Sequence, residues 1–310
     1  MEQMLSATVQ SARRMNLLTA ISFNKLNADT TVQEKAIRYP TDARLYFDMR
    51  EKLVGLARAN KVELRQSYVF VAKRALLEVF RYSHARQMKR AGKRIKKLKT
   101  WLGRVVRDIE RKTQADALLQ TIFAQSLALA RRLLSQQRGG KNKLYSIHAP
   151  EVECISKGKT HKKFEFGVKA GIVTTSKEGL VIAMQARHGN PYDGHTLAAD
   201  LAAAQRIIGR QLDTADVFVD RGYRGNGYEG PATVHVVERI KKSFTKAMRK
   251  WMKRRAAIEP EIGHMKSQGR LARNFLAGKL GDQLNAILCG CGHNIRKMLN
   301  FLRTRPQPAC

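Results

Sequence analysis

Apolar residues recur at intervals of three and four from about Thr41 to Arg138, where Leu, Ala, Met, Lys and Arg dominate and no proline stands between Pro40 and Pro150. That period predicts helix almost throughout, opened after Pro40 with Thr41 or Asp42 as its N-cap. Residues 1–20 share the spacing and predict a short helix. SFNKLNADTTV then reads as a strand that ends near Asp29 and delivers a carboxylate at its edge. Gly139 and Gly140 end the helical stretch, and the pattern becomes that of strands: KLYSIHAPEVECI, then 164–175, then GLVIAMQARHG at 179–189, with a hairpin turn around TSKEG. An alanine-rich helix follows at TLAADLAAAQRIIGRQL, with His195 or Thr196 near its start. DVFVD is a short buried strand ending at Asp220, and ATVHVVERI is another. KSFTKAMRKWMKRRAAIEP opens a last helical region that runs to about Arg303, and PQPAC is a loose tail. This order predicts an α/β chain with helices packed on a mixed sheet, and there is no internal repeat.

Charge narrows the class. The chain has 59 Lys and Arg against 25 Asp and Glu, a net charge of +34, which calls for a polyanionic partner, nucleic acid first. No apolar run reaches the ~20 residues needed to span a bilayer, and no signal-peptide core follows Met1. Cys154, Cys289, Cys291 and Cys310 are too few and too unevenly placed for a disulfide framework and fit a reducing cytoplasm. Cys289, Cys291 and His293 lack zinc-ligand spacing, so their segment reads as a small-residue helix packing closely on a neighbour. Between Arg81 and Lys112 there are 13 Lys and Arg against Asp108 and Glu110, with Ile95, Leu98, Trp101, Leu102 and Val105 interleaved. At that density self-repulsion destabilises a helix unless phosphates lie nearby, so Lys93, Arg94, Lys96 and Lys97 are candidate DNA-backbone contacts.

Three acids stand isolated in basic or polar surroundings: Asp29, Asp220 and Glu259. Taken singly, each reads as an N-cap or a surface salt bridge; the expectation is that they converge from two strands and a helix as the oxygen-ligand set that two Mg2+ or Mn2+ ions require for phosphodiester chemistry. Glu261 competes with Glu259, because residues two apart point roughly 200° apart on a helix and cannot share a cleft. With Glu259, Lys266 lies two turns on and Arg255 one turn before. Pro260 places Glu259 at a helix start or kink. Arg221, Tyr223 and Arg224 are candidate DNA contacts on charge and position, and Lys157, Lys159, His161 and Lys162 a candidate basic loop over the cleft. Asp193 and His195 admit two readings. They could supply an extra ligand or orient substrate, or, as favoured, end a turn and cap a helix.

The segments ADTTVQEKAIRYPTDA, LYSIHAPEVECISKGK, FEFGVK, NPYDGHT, VDRGYRG and RRAAIEPEIGHMKSQGRLARNFL, in this order over nearly the whole chain, resemble a DDE-class transposase of the insertion-sequence five group. The resemblance implies a ribonuclease-H-like mixed sheet with flanking helices and a long basic helical insertion after the first strand. It implies a Mg2+-dependent Asp-Asp-Glu triad at Asp29, Asp220 and Glu259, acting on double-stranded transposon ends and target DNA, in a homo-oligomer on DNA. Arg255, Glu259 and Lys266 match the spacing of the family's last motif, which selects Glu259 over Glu261. Met252 stands where the family has Tyr. Arg255 and Lys266 would then hold phosphates near the transposon end. The implied division is 1–20 as a remnant of an N-terminal helical region, 21–40 and 139–303 as the catalytic domain, 41–138 as the insertion, and 304–310 as a tail. Relatives carry a helical domain ahead of the first Asp, so the expectation is a shortened or split-frame transposase. The alternatives are a catalytically silent DNA-binding remnant that competes with the full-length enzyme, and a nucleic-acid packing protein.

Overall fold

A computed structural model describes residues 1–137, 139–141, 143–156, 162–237 and 245–304. The chain forms two compact units, Met1–Ala36 with Glu153–Cys310, and Ile37–Val152.

The first unit is built on β1 (Lys25–Glu34), which pairs antiparallel with β3 (Phe164–Thr175) on one side and parallel with β5 (Asp216–Val219) on the other. Beyond β5 lies β6 (Thr233–Val236), also parallel. The far edge of β3 is shared end to end by two antiparallel partners, β2 (Glu153–Ser156) and β4 (Val181–Arg187). Among the described residues this makes a six-stranded mixed sheet. β1 does not stop near Asp29. Its ladder with β3 continues from Asp29↔Ile172 to Glu34↔Gly167, so Asp29 sits in mid-strand. The extension escapes the sequence because TTVQE is polar yet largely buried on both faces, where two-sided burial erases alternation.

Alternation reappears in what the side chains touch. Thr30 of β1 and Lys169 of β3 bond Asp193, and Arg187 of β4 bonds Asp200, all toward α6 (Asp193–Ile208). Gln33, Lys35 and Asn274 instead join Asp282 and Asn285 of α9 (Gly278–Thr304) in a buried network. The sheet is therefore covered by α6 on one face and α9 on the other. This layering is compatible with a ribonuclease-H-like fold. Helix α1 (Glu2–Arg14) buries Leu5, Val9 and Ala12 in the same core and packs on α6 and α9. The small residues of α9 allow close approach, since a Cβ added to Gly290 would lie 3.1 Å from Val181 and 3.5 Å from Leu5. Cys289 and Cys291 are buried there, and burial pushes the Cys289 thiol up to about 12.

The second unit is helical: α2 (Asp42–Ala59), α3 (Val69–His84), α4 (Met88–Thr113) and α5 (Ala117–Ser135), closed around Met49, Leu53, Leu102, Ile109, Phe123 and Leu133. Thr41 caps α2 as expected. The near-continuous helix expected from the pattern is four helices, because the breaks use neither proline nor glycine. Asn60 closes α2 by donating to the Leu56 carbonyl, and Lys61 and Arg86 take positive φ. The unit continues to Val152, so the strand expected across KLYSIHAPEVECI is reduced to β2.

Asn294 ties three elements of the first unit together. Its carboxamide accepts from the Val181 amide and donates to the Val181 carbonyl and the Thr8 hydroxyl, joining α9, β4 and α1 with no exposed surface. Asn294→Ala strands buried polar groups on Val181 and should destabilise the protein by about 2–4 kcal/mol. Urea unfolding checks this; a loss below about 0.5 kcal/mol would contradict it.

Candidate active site

Register brings the two aspartates level. β1 and β5 run parallel with Lys25↔Asp216 and Asn27↔Phe218 paired, so two residues on in each strand Asp29 lies beside Asp220. One ion set pins this register: the Asp216 carboxylate binds Lys25 of β1 and His235 of β6. Burial alone would raise the Asp216 carboxyl, but those two partners outweigh it and hold the group below its ordinary value.

Asp29 accepts from the Thr30 amide at 2.8 Å. Asp220 caps a 3-10 turn, Arg221–Tyr223, accepting from the Gly222 amide at 2.8 Å. The third acid arrives on a helix. α7 (Lys246–Arg254) passes through a 3-10 turn, Arg255–Ala257, into α8 (Ile258–Gln268), whose first turn carries Glu259 and Glu261. Pro260 fits in that first turn, where no helical partner for an N–H is needed. Arg254 fastens the junction by donating to the carbonyls of Ser176 and Lys177 in the β3–β4 hairpin. Next to it, Arg255 enters the site.

The three acids meet on Arg255. Its Nη2 lies 2.7 Å from Asp29 and 3.6 Å from Asp220, and its Nη1 lies 3.1 Å from Glu259. The Arg255 side chain is 11% exposed, Asp29 14%, Asp220 44% and Glu259 65%. The cluster is thus closed at Asp29 and open at Glu259. Glu261 points elsewhere, to Lys297 at 2.5 Å and His293 at 3.3 Å on α9. Burial would raise the Glu261 carboxyl, but hydrogen bonds from His293 and Lys297 outweigh it and hold the group low.

The donor set fits hard divalent cations by its chemistry, since all three groups are carboxylates. Among the described residues, however, no three His, Cys, Asp or Glu side chains are grouped so as to hold a metal ion. Here the guanidinium stands between the acids.

Other expected residues fall at varied distances from this centre. Lys266, on α8, has its ammonium 4.0 Å from the buried Glu165. Arg221 and Arg224 are exposed beside Asp220. Tyr223 is instead 1% exposed in the core, which leaves its ring no surface for DNA. Burial raises its phenol, and Asp29, Asp200, Asp193 and Asp220 add to the effect. Met252 is buried too. Lys162 is exposed and pairs with Glu34, whereas Lys157, Lys159 and His161 lie outside the described residues. On α4, Lys93, Lys96 and Lys97 are exposed, while Arg94 turns to Glu78 of α3 at 2.5 Å.

Asp193 departs from the turn-end reading. It opens α6, and its carboxylate accepts from Thr30 and Lys169, both at 2.8 Å. Gly222 separates it from Asp220, as an added Cβ there would lie 3.0 Å from Asp220 and 3.5 Å from Asp193. His195 is exposed in the first turn of α6, edge-on to Tyr192. Sequence reading missed Thr30, Lys169 and Arg254. Thr30 was legible only as the neighbour of Asp29, and Arg254 as half of an Arg-Arg pair.

A family model described as the transposase DDE domain matches residues 137–295. That span includes Asp220, Arg255, Glu259 and Lys266 and begins after Asp29. An uncharacterized protein, ORF8 in the nfe locus of Rhizobium meliloti, is 46% identical over 87 residues, 28% of this chain and 42% of that protein. The chain therefore spans about two-fifths of that relative's length. No solved structure matches.

The contacts of Glu261 generate a stability test. Its folded-state carboxyl lies below the ordinary 4.5, so its contribution is present above that value and is lost as pH falls through the lower folded-state value. Glu261→Gln should cost roughly 1–2 kcal/mol at pH 7. The difference from the native protein should shrink as the solution is acidified below pH 4.5. Thermal melts across that range check it, and a pH-independent difference would contradict it.

Proposed function

The chain belongs to the family defined by the transposase DDE domain, and on that premise we propose that it is a DNA transposase whose triad is Asp29, Asp220 and Glu259. The observation that carries this reading is the convergence of those three carboxylates, from two strands and a helix start, on a single guanidinium. The reaction is cleavage of a phosphodiester at the element's ends, followed by strand transfer. In cleavage a water oxygen bonds to phosphorus as the bond to the bridging 3′ oxygen breaks. In transfer the freed 3′-hydroxyl attacks a target phosphodiester, so one P–O bond forms as another breaks.

Asp29, Asp220 and Glu259 are the residues that would hold Mg2+ or Mn2+. When bound, two such ions supply positive charge to the attacking and leaving oxygens. The chain itself orients the acids. Thr30 and Gly222 hold Asp29 and Asp220 through backbone amides, and the α7–α8 junction sets Glu259. Arg221 and Arg224, exposed beside Asp220, are proposed phosphate contacts, together with Lys162 and Lys266.

The helical unit supplies the proposed handle for duplex DNA. On α4 the exposed Lys89, Lys93, Lys96, Thr100, Arg104, Arg107 and Arg111 follow at steps of three and four residues, so they share one face. At 1.5 Å per residue this stripe is roughly 33 Å long, about one turn of a duplex. The opposite face, with Leu98, Leu102, Val105 and Ile109, is spent on the core. Binding to phosphates along such a stripe is blind to sequence. Action as a homo-oligomer on DNA is part of the same proposal. Among the described residues no helix is long and apolar enough to cross a membrane.

Incubated with Mg2+ and a plasmid carrying the DNA that flanks its own reading frame, the chain should nick or join strands, and Asp220→Ala should reduce this at least about a hundredfold. Activity unchanged in the variant would sink the triad. Binding without cleavage in both proteins would favour the silent, competing DNA-binding remnant. Replacing Lys93, Lys96, Arg104 and Arg107 by Gln should weaken binding to all duplex sequences alike and flatten the plot of log affinity against log salt by up to about four contacts. An unchanged slope would return α4 to an ordinary solvated face.

A further inference from the structure

Arg255 carries more of the site than a phosphate contact would. It is nearly buried, its Nε has no hydrogen-bond partner, and both terminal nitrogens face carboxylates. A guanidinium so engaged has little left to offer a phosphate. It also has a clear electrostatic task. Three carboxylates gathered within reach of one group repel each other, and the aspartates nearest them have cations of their own, Lys169 for Asp193 and Arg187 for Asp200. Among the described residues, Arg255 is a cation that Asp29, Asp220 and Glu259 share. Its planar fork suits this, since two separate nitrogens address different acids at once, which a lysine's point charge cannot reproduce.

Resting on the triad reading above, we propose that Arg255 is a positioning residue and internal counter-cation that holds the three carboxylates together and gives way when divalent metal binds them. Metal and guanidinium then compete for the same oxygens. The ion pair lowers the population of acids free to ligate, and the apparent metal affinity falls with that population. In exchange, the triad keeps its shape when no metal is present. A guanidinium released from the acids remains beside them, where DNA phosphates arrive. A purely structural arginine would support folding without antagonising metal, and a pure phosphate contact would alter DNA affinity alone.

The test is Mn2+ binding to the full chain without DNA, measured by electron paramagnetic resonance and by calorimetry, alongside thermal melts in a chelator. Arg255→Gln should melt at lower temperature than the native chain in chelator. It should also bind Mn2+ at least about threefold more tightly and regain more of its melting temperature on adding Mn2+. Arg255→Lys should tighten binding by less than the Gln variant does. Unchanged or weaker Mn2+ affinity in a folded Arg255→Gln protein overturns the proposal. If that variant does not fold, Arg255→Lys decides by the same criterion, with no tightening counting against it. Asp220→Asn separates the two levels: loss of Mn2+ binding there upholds the triad as the metal site. Equal binding in native and Asp220→Asn chains removes the triad reading itself, and this inference with it.

Discussion

The first unit depends on the double pairing of β1. Because β3 runs against it and β5 runs with it, β1 is the strand through which both halves of the sheet acquire a common register. The chain leaves after Ala36 and rejoins at Glu153, yet Glu34 still faces Gly167 and β2 takes the next edge. A long excursion between paired strands is tolerable because closure entropy grows only slowly with loop length. The Asp216 carboxylate, bound by Lys25 and His235, locks the parallel side at the opposite end of β1.

That register turns two unremarkable aspartates into neighbours, and their mutual repulsion must then be met. In a chain of net charge +34 general electrostatics favour acids everywhere, but a diffuse field is screened over about 10 Å. Only local partners can hold carboxylates together. Arg255 does this for Asp29, Asp220 and Glu259, and its place depends on Arg254 being anchored to the hairpin beneath. The same hairpin meets α9, where His293 donates toward the Gly179 carbonyl while Lys297 engages Glu261. One turn of α8 thereby sends two glutamates to opposite fates, one structural and one open to solvent.

Much of the helical unit was readable from its period, because each helix buries a continuous apolar stripe. Its internal breaks were not, since Asn60, Lys61 and Arg86 end helices by side-chain capping and positive φ, without Gly or Pro. The strands divided in the same way. β3 and β4 carry Val, Ile and Ala runs and a hairpin turn with Gly179 at φ +70, all local signals. β1 past Asp29 is Thr-Thr-Val-Gln-Glu, which has no apolar alternation and is a strand because β3 pairs with it. Tyr223 was a candidate DNA contact in VDRGYRG but lies in the core, since the 3-10 turn capped by Asp220 carries the ring inward.

By itself the sequence determined the chemical inventory: a polycationic chain, a mixed α/β pattern, and an ordered set of acids with Arg255 and Lys266 at fixed steps from Glu259. These follow from composition and from periodicities that act within a few residues. Only the tertiary structure decided that the arginine of that motif lies among the acids, that Asp193 joins Thr30 and Lys169, and that Arg94 leaves the outer face of α4 for Glu78. Each of those outcomes depends on groups far apart in the chain and on a competition among charges for partners, which no local pattern encodes.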